Sequence, residues 1–206
     1  MREDAKAIAK HKFKSWRRGF YIFFTLYALS YILCAVMLKT GKLEFLIPLV
    51  GRLIARMDGN LASAFLSLLV YIIPIFMLFT AGVTIYAPLM SAVIIIFLGG
   101  VSGVQCSLIA RQGRIALCFF EVILGNAVGY ISIIYAVLTT LCAMRIFTDI
   151  PKKEEHVIFE GTLFCGWGFR GIFNPKFVLT YIVFYIFITL LVTAITFLRA
   201  VTATIF

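Results

Sequence analysis

One carboxylate lies inside an otherwise uncharged run: Glu121, the only charged side chain between Ile115 and Met144. A carboxylate at membrane depth is costly, so it pairs with a cation or faces a wet cavity, where it can carry a proton or hold a substrate. Two amides in neighbouring apolar stretches, Gln105 and Asn126, complete a candidate intramembrane polar site of Glu121, Asn126 and Gln105. Two readings stand for Glu121. One is a structural ion pair with Arg114, two helical turns away on nearly the same face; the other is a proton- or substrate-linked site. A rise of 1.5 Å per residue puts Glu121 only about 10 Å from the start of its helix, which favours the pair.

Other chemistry finds little support. His11 and His156 have no Glu or second His at ligand spacing, and no H-E-x-x-H, G-x-S-x-G or Walker glycine loop is present. The five cysteines, Cys34, Cys106, Cys118, Cys142 and Cys165, are scattered without a C-x-x-C pair and read as small packing residues. Gly166-Trp167-Gly168-Phe169-Arg170-Gly171 has a faint likeness to a carbonyl-lined filter, but one copy with an Arg inside it reads as an interfacial aromatic loop. No catalytic residue, metal site or cofactor is expected, and the protein is read as a non-enzyme.

The elements that must position these residues follow from hydropathy. Mean hydropathy is +1.05 and 63% of the 206 residues are hydrophobic, far outside the range of soluble domains. Residues 59–110 contain no charged side chain at all, and since one crossing of a ~30 Å core takes about 20 helical residues, that run holds two crossings and a reversal. The expected fold is all-α, a polytopic helical membrane bundle of about five spans, at 19–38, 61–81, 88–110, 115–144 and 177–198. Residues 19–206 form a single membrane domain. Gly82 and Pro88 bracket the turn between the second and third spans, and Pro74 is expected to kink the second. Residues 43–57, interrupted by Pro48, Gly51, Arg52 and Arg56, and the Gly- and aromatic-rich 161–173 are read as interfacial or re-entrant.

Residues 1–18 carry seven basic and two acidic side chains, with Ala5, Ile8, Ala9, Phe13 and Trp16 on one helical face. They predict a cytoplasmic basic amphipathic helix on the headgroups, contacting them through Lys6, Lys10, Lys12, Lys14, Trp16, Arg17 and Arg18. Net charge is +10. Such a balance serves anionic lipid here rather than nucleic acid, because the basic residues sit mainly in the tail and linkers. Seven of them in the tail and five in 145–176 put the N-terminus inside by the positive-inside rule, although Arg111 and Arg114 fall on the opposite side.

Small-residue stripes supply the packing surfaces. Gly99-x-x-x-Gly103 with Ser107, and Gly125-x-x-x-Gly129, let backbones approach closely where lipid gives no hydrophobic drive between helices. The third and fourth spans are expected to meet on these stripes, and a homo-oligomer through them is left open.

The run AGVTIYAPLMSAVIIIFLGGVSGVQC (81–106) and the following CFFEVILGNAVGYISIIYAVL (118–138) resemble the stage II sporulation protein M family, over roughly residues 61–143. Gly125-Asn126 stands where that family usually has Pro followed by His, Gln or Asn. The resemblance implies a multi-pass cell-membrane protein that holds peptidoglycan-remodelling partners, with no catalytic residue to carry over. The expected function is therefore a membrane scaffold or assembly subunit whose partners are the bilayer and other membrane proteins. The alternative is a small transporter or channel subunit using Glu121, favoured by the helix breakers at Pro74, Gly82, Pro88 and Gly125.

Overall fold

A backbone in lipid must satisfy its own polar groups, and the uncharged runs of this sequence do so as helices. The computed structural model describes the backbone of residues 2–42, 61–113, 115–149 and 175–205, and the side chains of 16–42, 69–113, 115–143, 179–199 and 201–202. Five helices make up this part of the chain: α1 (Arg2–Lys39), α2 (Leu61–Ala81), α3 (Ala87–Arg111), α4 (Ile115–Asp149) and α5 (Pro175–Ile205). Four carry stretches long and apolar enough to cross a bilayer, at Trp16–Lys39, Ala87–Arg111, Ile115–Ala143 and Leu179–Arg199; the side-chain-described part of α2, Leu69–Ala81, is apolar too. The described residues are thus all-helical, a membrane bundle as the hydropathy implies. The segments 43–57 and 161–173, read as interfacial, lie outside the described residues.

Residues 2–18 are helical and run without a break into the first span, so that α1 is one helix of 38 residues. The Ala, Lys and Arg before Gly19 are good helix formers, and one glycine costs only about 1 kcal/mol, too little to break a helix favoured on both sides. At 1.5 Å per residue α1 is about 57 Å long, well beyond a hydrocarbon core of ~30 Å.

The helix ends have local causes. Gly41 adopts a left-handed φ of 81°, which lets Lys42 N–H donate to Met37 O at 3.1 Å and Gly41 N–H to Leu38 O at 3.2 Å, closing α1 on a Schellman turn. α3 starts with Pro88 in its first turn, where a missing N–H costs nothing. Pro74 lies inside α2 without ending it. Tyr181 of α5 donates its hydroxyl to Phe79 O at 2.8 Å, satisfying a carbonyl in the last turn of α2.

Contacts fix the relative directions. Tyr27 lies on Gly99, Tyr31 on Gly103, and Arg111 donates to Leu38 O, so α1 and α3 run parallel. Phe24 stacks on Tyr130 and Gly19 faces Val137, which makes α4 antiparallel to α1. Phe79 stacks on Tyr181 at 5.0 Å and Phe76 meets Tyr185 at 6.4 Å, so α5 opposes α2. Each helix therefore reverses the one before it. One end of the bundle gathers Lys39, the 111–115 turn and the C-terminal turns of α5; we refer to it as the turn end. Tyr71, Ile75, Leu78, Ile95, Leu98, Val128, Ile133, Tyr135 and Val192 form the buried interior.

The glycine stripes are occupied by α1 rather than by each other. A Cβ on Gly99 would lie 2.5 Å from Tyr27 O, and one on Gly103 would collide with Tyr31 O and come within 3.1 Å of Tyr31 Cα. A Cβ on Gly129 would run into the Tyr27 ring. The expected packing of α3 and α4 on paired stripes is therefore replaced by a joint cradle for Tyr27 and Tyr31. Ser30 fixes its register, donating to Ile96 O at 2.6 Å. Ser107 is half-buried on α3, and Gly125 turns toward the charged group described next.

Candidate functional site

Glu121 sits in the second turn of α4, and Arg199 lies on α5 near the same end of the bundle. Because the two helices are antiparallel, these residues, 78 apart in sequence, face each other. Arg199 Nε donates to Glu121 Oε2 at 3.1 Å, and Nη2 donates to Glu121 Oε1, a two-pronged guanidinium–carboxylate pair. Nη2 also donates to Gln105 Oε1 of α3 at 2.7 Å. The hydroxyl of Tyr71 on α2 donates to the same oxygen at 2.6 Å, and Arg199 Cζ stacks over the Tyr71 ring at 4.8 Å. Four helices each contribute one member. Exposure is 6% for Glu121, 6% for Gln105, 1% for Tyr71 and 3% for Arg199, so water contributes little to holding either charge.

The local reasons are simple. Gln105 lies one turn past Ser102 on the face of α3 that points inward, and both are buried. Gly125, one turn after Glu121, borders the pair: a Cβ there would make ordinary contact, 3.5 Å from Glu121 Oε1 and 4.0 Å from Arg199 Nη2. The opposite charges cancel, leaving a neutral polar knot in a low-dielectric interior. Such a pair is held at a desolvation cost that only good geometry offsets, and breaking one partner is far worse than replacing both.

Of the three polar residues singled out in the sequence, Glu121 and Gln105 meet and Asn126 does not join them. Asn126 donates to Val122 O at 2.7 Å and accepts from Tyr27 OH at 3.3 Å, so it belongs to the α1 contact. The expected partner Arg114 lies outside the described residues; the cation that engages both carboxylate oxygens is Arg199. Its only sequence signal was being a lone charge near the end of the last apolar run, which reads equally well as an interfacial stop. Tyr71 carried no signal, since an aromatic in a span is ordinary. Among the membrane-surface residues, Trp16 stacks on Phe20 at 5.6 Å, Arg17 lies 5.9 Å over Tyr21, and Arg17 and Arg18 are exposed. The side chains of Lys6, Lys10, Lys12 and Lys14 lie outside the described residues.

Chemically, both carboxylate oxygens of Glu121 are already engaged by the guanidinium of Arg199. One donor is left over: Arg199 Nη1 is buried and has no hydrogen-bond partner among the described residues. No group of three or more His, Cys, Asp or Glu side chains suited to a metal occurs among the described residues.

Four helices able to cross a bilayer, two of them joined by a buried ion pair, define a multi-pass helical membrane protein. Comparison with family models, with curated proteins and with solved structures finds no match to the chain.

Proposed function

We propose that the chain is a non-enzymatic membrane scaffold or assembly subunit, crossing the cell membrane five times with its N-terminus in the cytoplasm. The observation that carries this reading is the self-compensated interior: Glu121, Arg199, Gln105 and Tyr71 bond to one another and tie four helices together. A carrier keeps polar groups available for its cargo, whereas a scaffold needs a rigid body with lipid-facing surfaces for other membrane proteins. The strict alternation of helix direction supports an odd number of crossings, and the seven basic residues before residue 19 support the inward N-terminus. The resemblance of residues 61–143 to the sporulation protein M family supports cell-wall-remodelling proteins as the partners held. A homo-oligomer remains open in this reading.

A second reading, a small transporter or channel subunit, is favoured by one observation, that Arg199 Nη1 has no partner among the described residues. The discriminating experiment replaces both charges at once, Glu121→Gln with Arg199→Met, in the native host. A scaffold accumulates and restores the phenotype of a deletion strain. Normal accumulation without rescue, together with proton or solute flux in vesicles that the double replacement abolishes, refutes the scaffold and favours transport.

A further inference from the structure

Two thiols near the turn end have no part in the polar knot. Cys106 of α3 and Cys118 of α4 hold their sulfurs 3.6 Å apart, and the Cys118 thiol also points at Cys106 O, 3.8 Å away. Both are free and half-buried. Cys106 precedes Arg111 by five residues and Cys118 follows Ile115 by three, so at 1.5 Å per residue they lie about 5–8 Å from the helix ends. Arg111, Gln112 and Ile115 are exposed there. A disulfide has its sulfurs near 2.05 Å, so closure asks for about 1.6 Å of sulfur movement, within reach of side-chain rotation at two positions already facing each other. The sequence hides the pair because a separation of twelve residues matches no redox motif; only the turn at Gly113 brings the two together.

We propose that Cys106 and Cys118 are a modification site, a dithiol oxidised to an intramolecular disulfide by exchange with an external disulfide. One cysteine, as thiolate after giving its proton to water, attacks a sulfur of the incoming disulfide, forming a mixed disulfide and expelling the first thiolate. The second cysteine, likewise deprotonated, attacks the sulfur of the first and expels the other. In sum, two cysteine thiols lose two electrons and two protons, and the external disulfide becomes two thiols. The chemistry stands on the sulfur geometry alone; only the compartment rests on the orientation proposed above, which puts the turn end outside, where disulfides persist.

The test exposes full-length protein in mild detergent to oxidised glutathione, then counts free thiols by alkylation and mass measurement under denaturing conditions. Wild type should fall from five alkylatable cysteines to three, with a non-reduced digest yielding the 106 and 118 peptides linked. Cys106→Ser and Cys118→Ser should each lose that linked species and instead take a single glutathione adduct on the remaining member. Persistence of both thiols in wild type, or separate glutathione adducts on both without a linked peptide, overturns the proposal. Labelling of a Cys106→Ser variant with a membrane-impermeant maleimide reads the orientation separately: protection of Cys118 in intact cells but labelling in detergent, with the wild-type disulfide still forming in detergent, overturns the topology and leaves the pair standing.

Discussion

The ion pair at the turn end makes a quantitative demand on the energetics of the bundle. Glu121→Gln preserves shape but leaves the Arg199 guanidinium, 3% exposed, with neutral amide oxygens and the Tyr71 ring for company and no counter-charge. Removing one partner of a buried pair costs about 3–5 kcal/mol, and Arg199→Met, which strands the carboxylate, should cost about the same. Changing both leaves no stranded charge, and the double variant should lie within about 1–2 kcal/mol of wild type. The coupling energy is then at least about 4 kcal/mol, far above the average of about 0.6 kcal/mol for interhelical hydrogen bonds in membrane proteins. The assay is reversible SDS-driven unfolding in mixed micelles, followed by the loss of helical circular dichroism, for wild type, the two single variants and the double variant. Asn126→Leu supplies the control, because Asn126 bonds to Tyr27 and to its own helix; its effect should add to that of Glu121→Gln within about 0.5 kcal/mol. Single variants that each cost under about 1 kcal/mol and add in the double would refute the reasoning. Water would then be reaching both charges, and the knot would not hold the four helices.

Two further perturbations address the packing. Gly103→Leu should drive α1 off α3, because even its first carbon meets Tyr31 backbone; Gly100→Ala should be milder, its new carbon coming 3.2 Å from Cys34 Sγ and 3.3 Å from Ser30 Oγ, side-chain rather than backbone atoms. Protease resistance of the detergent-solubilised bundle checks this, and equal sensitivity of the two variants would contradict it. Tyr181→Phe removes the donor to Phe79 O and should lower stability by about 0.5–1.5 kcal/mol in the same SDS titration, with no change in the ion-pair coupling.

The sequence disclosed the helices better than their partners. Uncharged runs bounded by Gly82, Pro88 and Arg111 located α2, α3 and the start of α4, because the bilayer leaves a backbone so few options. Gly99, Gly103 and Gly129 were legible as close-packing positions, but a glycine states only that something comes near. That the visitor is α1, presenting Tyr27, Ser30 and Tyr31, is a property of the assembled bundle. Glu121 was likewise legible as costly, and the nearest cation in sequence, Arg114, was the natural guess for its counter-charge. Arg199 answers it instead from another helix, and Gln105 and Tyr71 complete the knot through contacts that only the tertiary arrangement creates.

The separation of Glu121 from Arg199 also bears on how the bundle is made. Translation at ~5–20 residues per second inserts Glu121 some 4–16 s before Arg199 follows it 78 residues later. During that interval α4 carries Glu121 without Arg199, and the bundle of α1 to α4 has one wall missing. A nascent chain stalled or cut ahead of Arg199 would keep that vulnerable state indefinitely. Arrival of α5 brings the guanidinium that engages both carboxylate oxygens, so the four-helix knot is complete only when the last helix is in place.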